Sequence, residues 1–117
     1  MQINVVEEFL ALASLNSPSR REALVAAYLV NRLREMGLTP EVDDSAPRSG
    51  SDTGNIIVRV PGNARGAAVL LCAHMDTVGP TEGMVPVLRD GVITSNGKTV
   101  LGADDKAGIA IILAAVS

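Results

Sequence analysis

An α/β fold is what this sequence predicts, and three observations carry the expectation. Of its 117 residues 47% are hydrophobic but only 2% aromatic, so a core must be built from Leu, Val, Ile and Ala, with 11 Gly between them. The run Val69-Leu70-Leu71-Cys72-Ala73 is apolar without a break and bounded by turn signals, which suits a strand buried on both faces, as in a parallel sheet. Patterns of helical period lie before and after that run.

The elements follow in order. Ile3, Val6, Phe9, Leu10 and Ala13 recur at helical spacing over 3–15, which puts Glu7 and Glu8 on the opposite, solvent face. Asn16-Ser17-Pro18-Ser19 breaks this helix. Ser19 followed by Glu22 has the spacing of a capping box for a second helix running to about Met36. That helix is expected to bury Leu24, Tyr28, Leu29 and Leu33, to expose Arg20, Arg21, Arg32 and Arg34, and to stop at Gly37. Residues 38–42 read as a short strand and 43–53 as a surface loop. Strands are expected over 55–60 and 67–73, then a hairpin of 84–88 and 91–94 turning around Arg89-Asp90. Lys106 to Val116 has hardly any polar face, so it reads as a helix buried on nearly all sides. It meets the end of the chain at Ser117 without a stop signal, an ending that suggests a truncated piece.

Composition excludes several function classes. The chain is one domain at most. Its 13 acidic and 10 basic residues give a net charge of −3, and no basic stripe with interleaved aromatics marks a nucleic-acid surface. The single cysteine, Cys72, rules out an internal disulfide and fits a reducing compartment. Glu7 and Glu8 replace the basic start of a signal peptide, and the apolar run from Ala107 falls short of the roughly 18 residues that a membrane span requires. A soluble, cytoplasmic protein without membrane or nucleic-acid partners is the expectation.

The chemistry gathers in two stretches. His74, the only histidine, and Asp76 stand two apart at the end of the apolar run, so on an extended chain they face the same side. The C-terminal edge of a strand is where open α/β sheets place ligands. The second stretch is Gly102-Ala103-Asp104-Asp105-Lys106-Ala107-Gly108, at the mouth of the last helix. Taken alone, its acidic pair reads as helix capping, since free N–H groups attract negative charge. Beside an imidazole and a carboxylate, the same pair completes a set of metal-ligand types suited to zinc, cobalt or manganese. Thr77 reads as a turn residue, and Lys106 as a partner for a neighbouring carboxylate or solvent.

Ala73-His74-Met75-Asp76-Thr77-Val78 followed by Thr99-Val100-Leu101-Gly102-Ala103-Asp104-Asp105-Lys106 resembles the peptidase T-like branch of the two-zinc exopeptidases. That superfamily also includes carboxypeptidase G and succinyl-diaminopimelate desuccinylase. The resemblance covers essentially the whole chain. It implies a three-layer α/β catalytic domain, with helices flanking a mixed, mostly parallel sheet, of which residues 1–117 are the N-terminal part. It also implies His74 as a terminal ligand of one zinc and Asp104 as the bridge between two. Asp76 becomes the catalytic-site carboxylate that accepts the other ring N–H of His74 and fixes its tautomer. A cis peptide between Asp104 and Asp105 is implied too.

The activity implied is removal of N-terminal residues from short peptides by a zinc-bridged water, in a homodimer. The family's catalytic Glu, its neighbouring Glu ligand, a further acidic ligand and a second His have no counterparts here, since no Glu follows Glu82. The chain alone is therefore expected to be inactive. Two alternatives stand beside this reading: a related amidohydrolase acting on N-acyl amino acids, and a non-catalytic structural or binding module with a degenerate metal site.

Overall fold

Asn4 starts the first helix, α1 (Val5–Ala13): its side-chain oxygen accepts from the backbone N–H groups of Val6 and Glu7, two of the donors that a helix start leaves free. The computed structural model describes residues 1–117, and its further elements are α2 (Ala23–Glu35), β1 (Glu41–Val42), α3 (Ala46–Ser49), β2 (Ile56–Ile57), β3 (Pro86–Arg89), β4 (Val92–Ser95) and α4 (Ala103–Val116). No helix is long and apolar enough to cross a membrane.

One apolar core joins three helices. Phe9, Leu12 and Ala13 of α1 meet Val25, Leu29 and Leu33 of α2 and Ile109, Ala110 and Leu113 of α4, with Ile3 alongside. The expected faces need correction. In α1 the buried stripe is rotated: Val6 is 42% exposed and Glu8 only 3%. Glu8 tolerates burial because Tyr28 donates to it at 2.7 Å and the Arg32 guanidinium at 3.0–3.2 Å. Burial first, and then the bond to Glu8, pushes the Tyr28 hydroxyl up to about 12. In α2, Leu24 points outward and Val25 inward. In α4 only one face is covered, and Ile111 is exposed.

The helix start of α2 differs as well. Ser19 does not cap it. The helix begins at Ala23, whose N–H is taken by Asp52 Oδ1 at 3.0 Å from across the fold. Gly37, at φ +79°, ends the helix as expected.

Strand pairing inside the chain is short and antiparallel. β1 pairs with β2, Val42 opposite Ile56, and β3 pairs with β4 through a two-residue turn of Asp90 and Gly91. Both turn residues have positive φ, 52° and 75°, the conformation that matches a hairpin's twist. Helices and strands together give the α/β class. Residues 67–74 join no ladder, however, and Val69 and Leu70 are more than 80% exposed. A strand buried on both faces needs a ladder partner on each side, and no other segment of the chain pairs with this one.

Candidate metal centre

The segment after the apolar run is fixed by the loop between α1 and α2. Thr77 N–H donates to Ser17 O at 2.9 Å, Ser17 Oγ donates to Met75 O at 2.8 Å, and Pro18 pairs with Thr77 in a parallel bridge. Ser17 and Thr77 are buried. The same loop reaches the second stretch. The Lys106 ammonium donates to Leu15 O, Thr81 Oγ1 lies 3.4 Å from that oxygen, and Thr81 N–H donates to Asn16 Oδ1 at 2.8 Å. Gly102, at φ +83°, sits between these anchors, where a Cβ would come within 3.0 Å of the Thr77 methyl.

This arrangement brings the three expected site residues together. His74 Nδ1 lies 2.9 Å from Asp76 Oδ1 and 3.0 Å from the Asp76 carbonyl oxygen, while Nε2 lies 3.0 Å from Asp104 Oδ1. Asp76 is partly shielded and Asp104 open to solvent. Partial burial alone would lower the pKa of the His74 ring, but the bonds to Asp104 and Asp76 outweigh it, and the net shift is upward. Asp76 is held below its ordinary range, first by the hydroxyl of Ser19, with His74 adding to the effect.

The Asp104–Asp105 peptide is cis, and both residues leave helical φ/ψ, so the regular part of α4 starts near Lys106. Asp105 folds back over Gly108, where a Cβ would fall 2.3 Å from its Oδ1.

The donor chemistry fits a cation in part. A ring whose Nδ1 is engaged by a carboxylate has Nε2 left to ligate, and a carboxylate oxygen stands beside that nitrogen. No three His, Cys, Asp or Glu side chains converge as a cage within the chain. His74 and Asp104 are therefore two donors of an incomplete set.

Sequence reasoning missed two contributors. Ser19 was expected at a helix start and instead donates its hydroxyl to Asp76 Oδ2. Lys106 was expected near a carboxylate or in solvent and is instead fully buried on a main-chain oxygen. Only the second carried a signal: its place one turn from Ile109 and Ala110, on the face the helix buries.

The α/β chain sets one imidazole between two carboxylates, and comparison with known proteins places it among peptidase families. Residues 55–117 match the profile of Peptidase family M28, and the chain belongs to that family. It is 35% identical over 112 residues to the protein YqjE of Bacillus subtilis (strain 168), covering 96% of this chain and 30% of the relative. With peptidase T of Escherichia coli (strain SE11) it shares 36% identity over 99 residues, 81% of this chain and 23% of that enzyme.

Two solved structures superpose closely. The aminopeptidase PepT from Bacillus cereus ATCC 10987 gives a TM-score of 0.85 at 35% identity, covering 96% of this chain and 30% of that one. A tripeptidase from Staphylococcus aureus subsp. aureus mu50 gives 0.90 at 31% identity, covering 99% and 32%. These likenesses bear out the expected peptidase T-like catalytic fold. The chain spans about a third or less of the length of the relatives it matches.

Proposed function

We propose that the protein carrying this chain is a metal-dependent aminopeptidase that removes N-terminal residues from tripeptide-sized substrates. Residues 1–117 would form the N-terminal part of its catalytic domain. The carrying observation is the His74 ring held between two carboxylates, Asp76 on Nδ1 and Asp104 beside Nε2. The relatives described as peptidase T, aminopeptidase and tripeptidase support the substrate class.

His74 and Asp104 would hold the metal, zinc in the first place, with cobalt or manganese as substitutes. When bound, the metal supplies Lewis-acid polarisation of a scissile carbonyl and lowers the pKa of water. The chain's own residues do the positioning: Asp76 keeps the proton on Nδ1 and leaves Nε2 as the ligating atom. Two donors without a general base make the chain inactive by itself. A cytoplasmic homodimer completes the reading, in keeping with the lone cysteine.

The test uses the full-length protein. Metal content and release of the N-terminal residue from tripeptides are measured for wild type and His74→Ala. The expected result is loss of one metal together with activity. Full tripeptide hydrolysis by the variant, or by wild type after exhaustive chelation, would overturn the proposal. Hydrolysis of N-acyl amino acids in place of tripeptides would reassign the substrate.

A further inference from the structure

We propose that Ser19 is a positioning residue of this site: its hydroxyl holds one oxygen of Asp76 so that the other keeps the His74 ring turned with Nε2 toward Asp104. The inference rests on the reading of His74 as a metal ligand and extends it to a residue on a different segment.

Each oxygen of the Asp76 carboxylate has its own side-chain partner, Ser19 Oγ on Oδ2 and His74 Nδ1 on Oδ1. A carboxylate held by one oxygen can swing about its terminal torsion, a broad and soft coordinate; a second bond fixes its plane. The plane of Asp76 decides whether Oδ1 lies in line with the Nδ1–H bond.

Ser19 is itself held on both sides. Before it, Pro18 is bridged to Thr77 and buried Ser17 is bonded to the main chain at Met75 and Thr77. After it, Arg20 adopts φ +75°, a left-handed conformation unfavourable for a residue with a side chain, and its carbonyl oxygen accepts from Asp52 N–H at 3.1 Å. The serine is also free of the duty its position suggests, because the start of α2 is served by Asp52. A hydroxyl next to a strained residue, released from capping and aimed at a carboxylate, has positioning as its use.

In the metal-free full-length protein labelled with 15N at its imidazoles, where the His74 signals are those missing from His74→Gln, long-range 1H–15N spectra at a pH that neutralises the ring report its tautomer. Wild type is expected to show mainly Nδ1–H, because Asp76 offers that nitrogen two acceptors and Asp104 offers Nε2 one. Ser19→Ala should lower the ratio of Nδ1–H to Nε2–H by roughly three- to ten-fold, the weight of one hydrogen bond, and Ser19→Thr should restore it. Ser17→Ala, which loses its bond to Met75 but none to the carboxylate, should leave the ratio alone.

An unchanged ratio in Ser19→Ala, or an equal change in Ser17→Ala, overturns the proposal. Ser19 is exposed, so the alanine leaves no cavity. Should that variant nonetheless fail to fold, Ser19→Cys, near-isosteric and a feeble donor, decides by the same reading. Titrating Mn2+ back into the metal-free full-length wild type tests the metal reading separately. Selective broadening of the His74 ring and Asp104 signals supports it; uniform or absent broadening refutes it and leaves the Ser19 result standing.

Discussion

Buried Lys106 donates its ammonium to the main-chain oxygen of Leu15 and takes part in no ion pair, so the start of α4 is tied to the loop after α1 by a cation without a counter-charge. Burial pushes its pKa down from 10.5 to about 8. Between those values the unfolded chain holds a proton that the folded chain has released. Stability should therefore rise as pH climbs through this window, be fully present above 10.5, and be lost as pH falls through about 8. The span is on the order of 3 kcal/mol. Urea unfolding at both ends of the window should show the rise in wild type and a flat profile in Lys106→Met. A wild-type profile as flat as the variant's would contradict the assignment.

The Glu8–Arg32 pair should matter more than the neighbouring Arg32–Glu35 pair, although their distances are similar at 3.0 and 2.8 Å. Glu8 is buried and Glu35 is exposed. Removing the guanidinium in Arg32→Ala leaves a buried carboxylate with Tyr28 alone and should cost about 2–4 kcal/mol. Glu35→Ala should cost less than about 1 kcal/mol. Equal losses in chemical denaturation would show that burial is not what separates them.

Gly102→Ala combines a disfavoured backbone angle with a contact at 3.0 Å to the Thr77 methyl. A loss of about 2 kcal/mol is expected. Adding Thr77→Ser removes the methyl and should recover the steric part only, leaving the backbone part. Complete recovery in the double variant would mean that φ at this position carries no cost.

In the full-length protein, Asp76→Ala should leave metal partly bound and reduce tripeptide hydrolysis by about 10–100-fold, the usual effect of losing the carboxylate behind a ligating imidazole. Parallel metal analysis and kinetics check it. A silent substitution would remove Asp76 from the site.

The sequence made the local features legible and the distant ones much less so. Gly37 as a helix stop, the hairpin near Asp90 and the shared side of His74 and Asp76 all follow from neighbours within a few positions. The bond between Ser19 and Asp76 spans 57 positions and that between Lys106 and Leu15 spans 91, and no periodicity encodes either. Glu8 looked solvent-facing because charge was weighed without its partner on α2. The run from Val69 looked buried because composition reports that a segment prefers cover, while its burial depends on ladder neighbours that the other segments of this chain do not provide. His74 and Asp104 entered as a pair through the resemblance of two motifs, and the structure sets them 3.0 Å apart.

The loop from Leu15 to Ser19 grips both chemistry-bearing turns, one through Ser17 and Ser19 and the other through Leu15. A displacement of this strap would therefore move the imidazole-bearing turn and the start of α4 together, so their mutual spacing is set by one short segment.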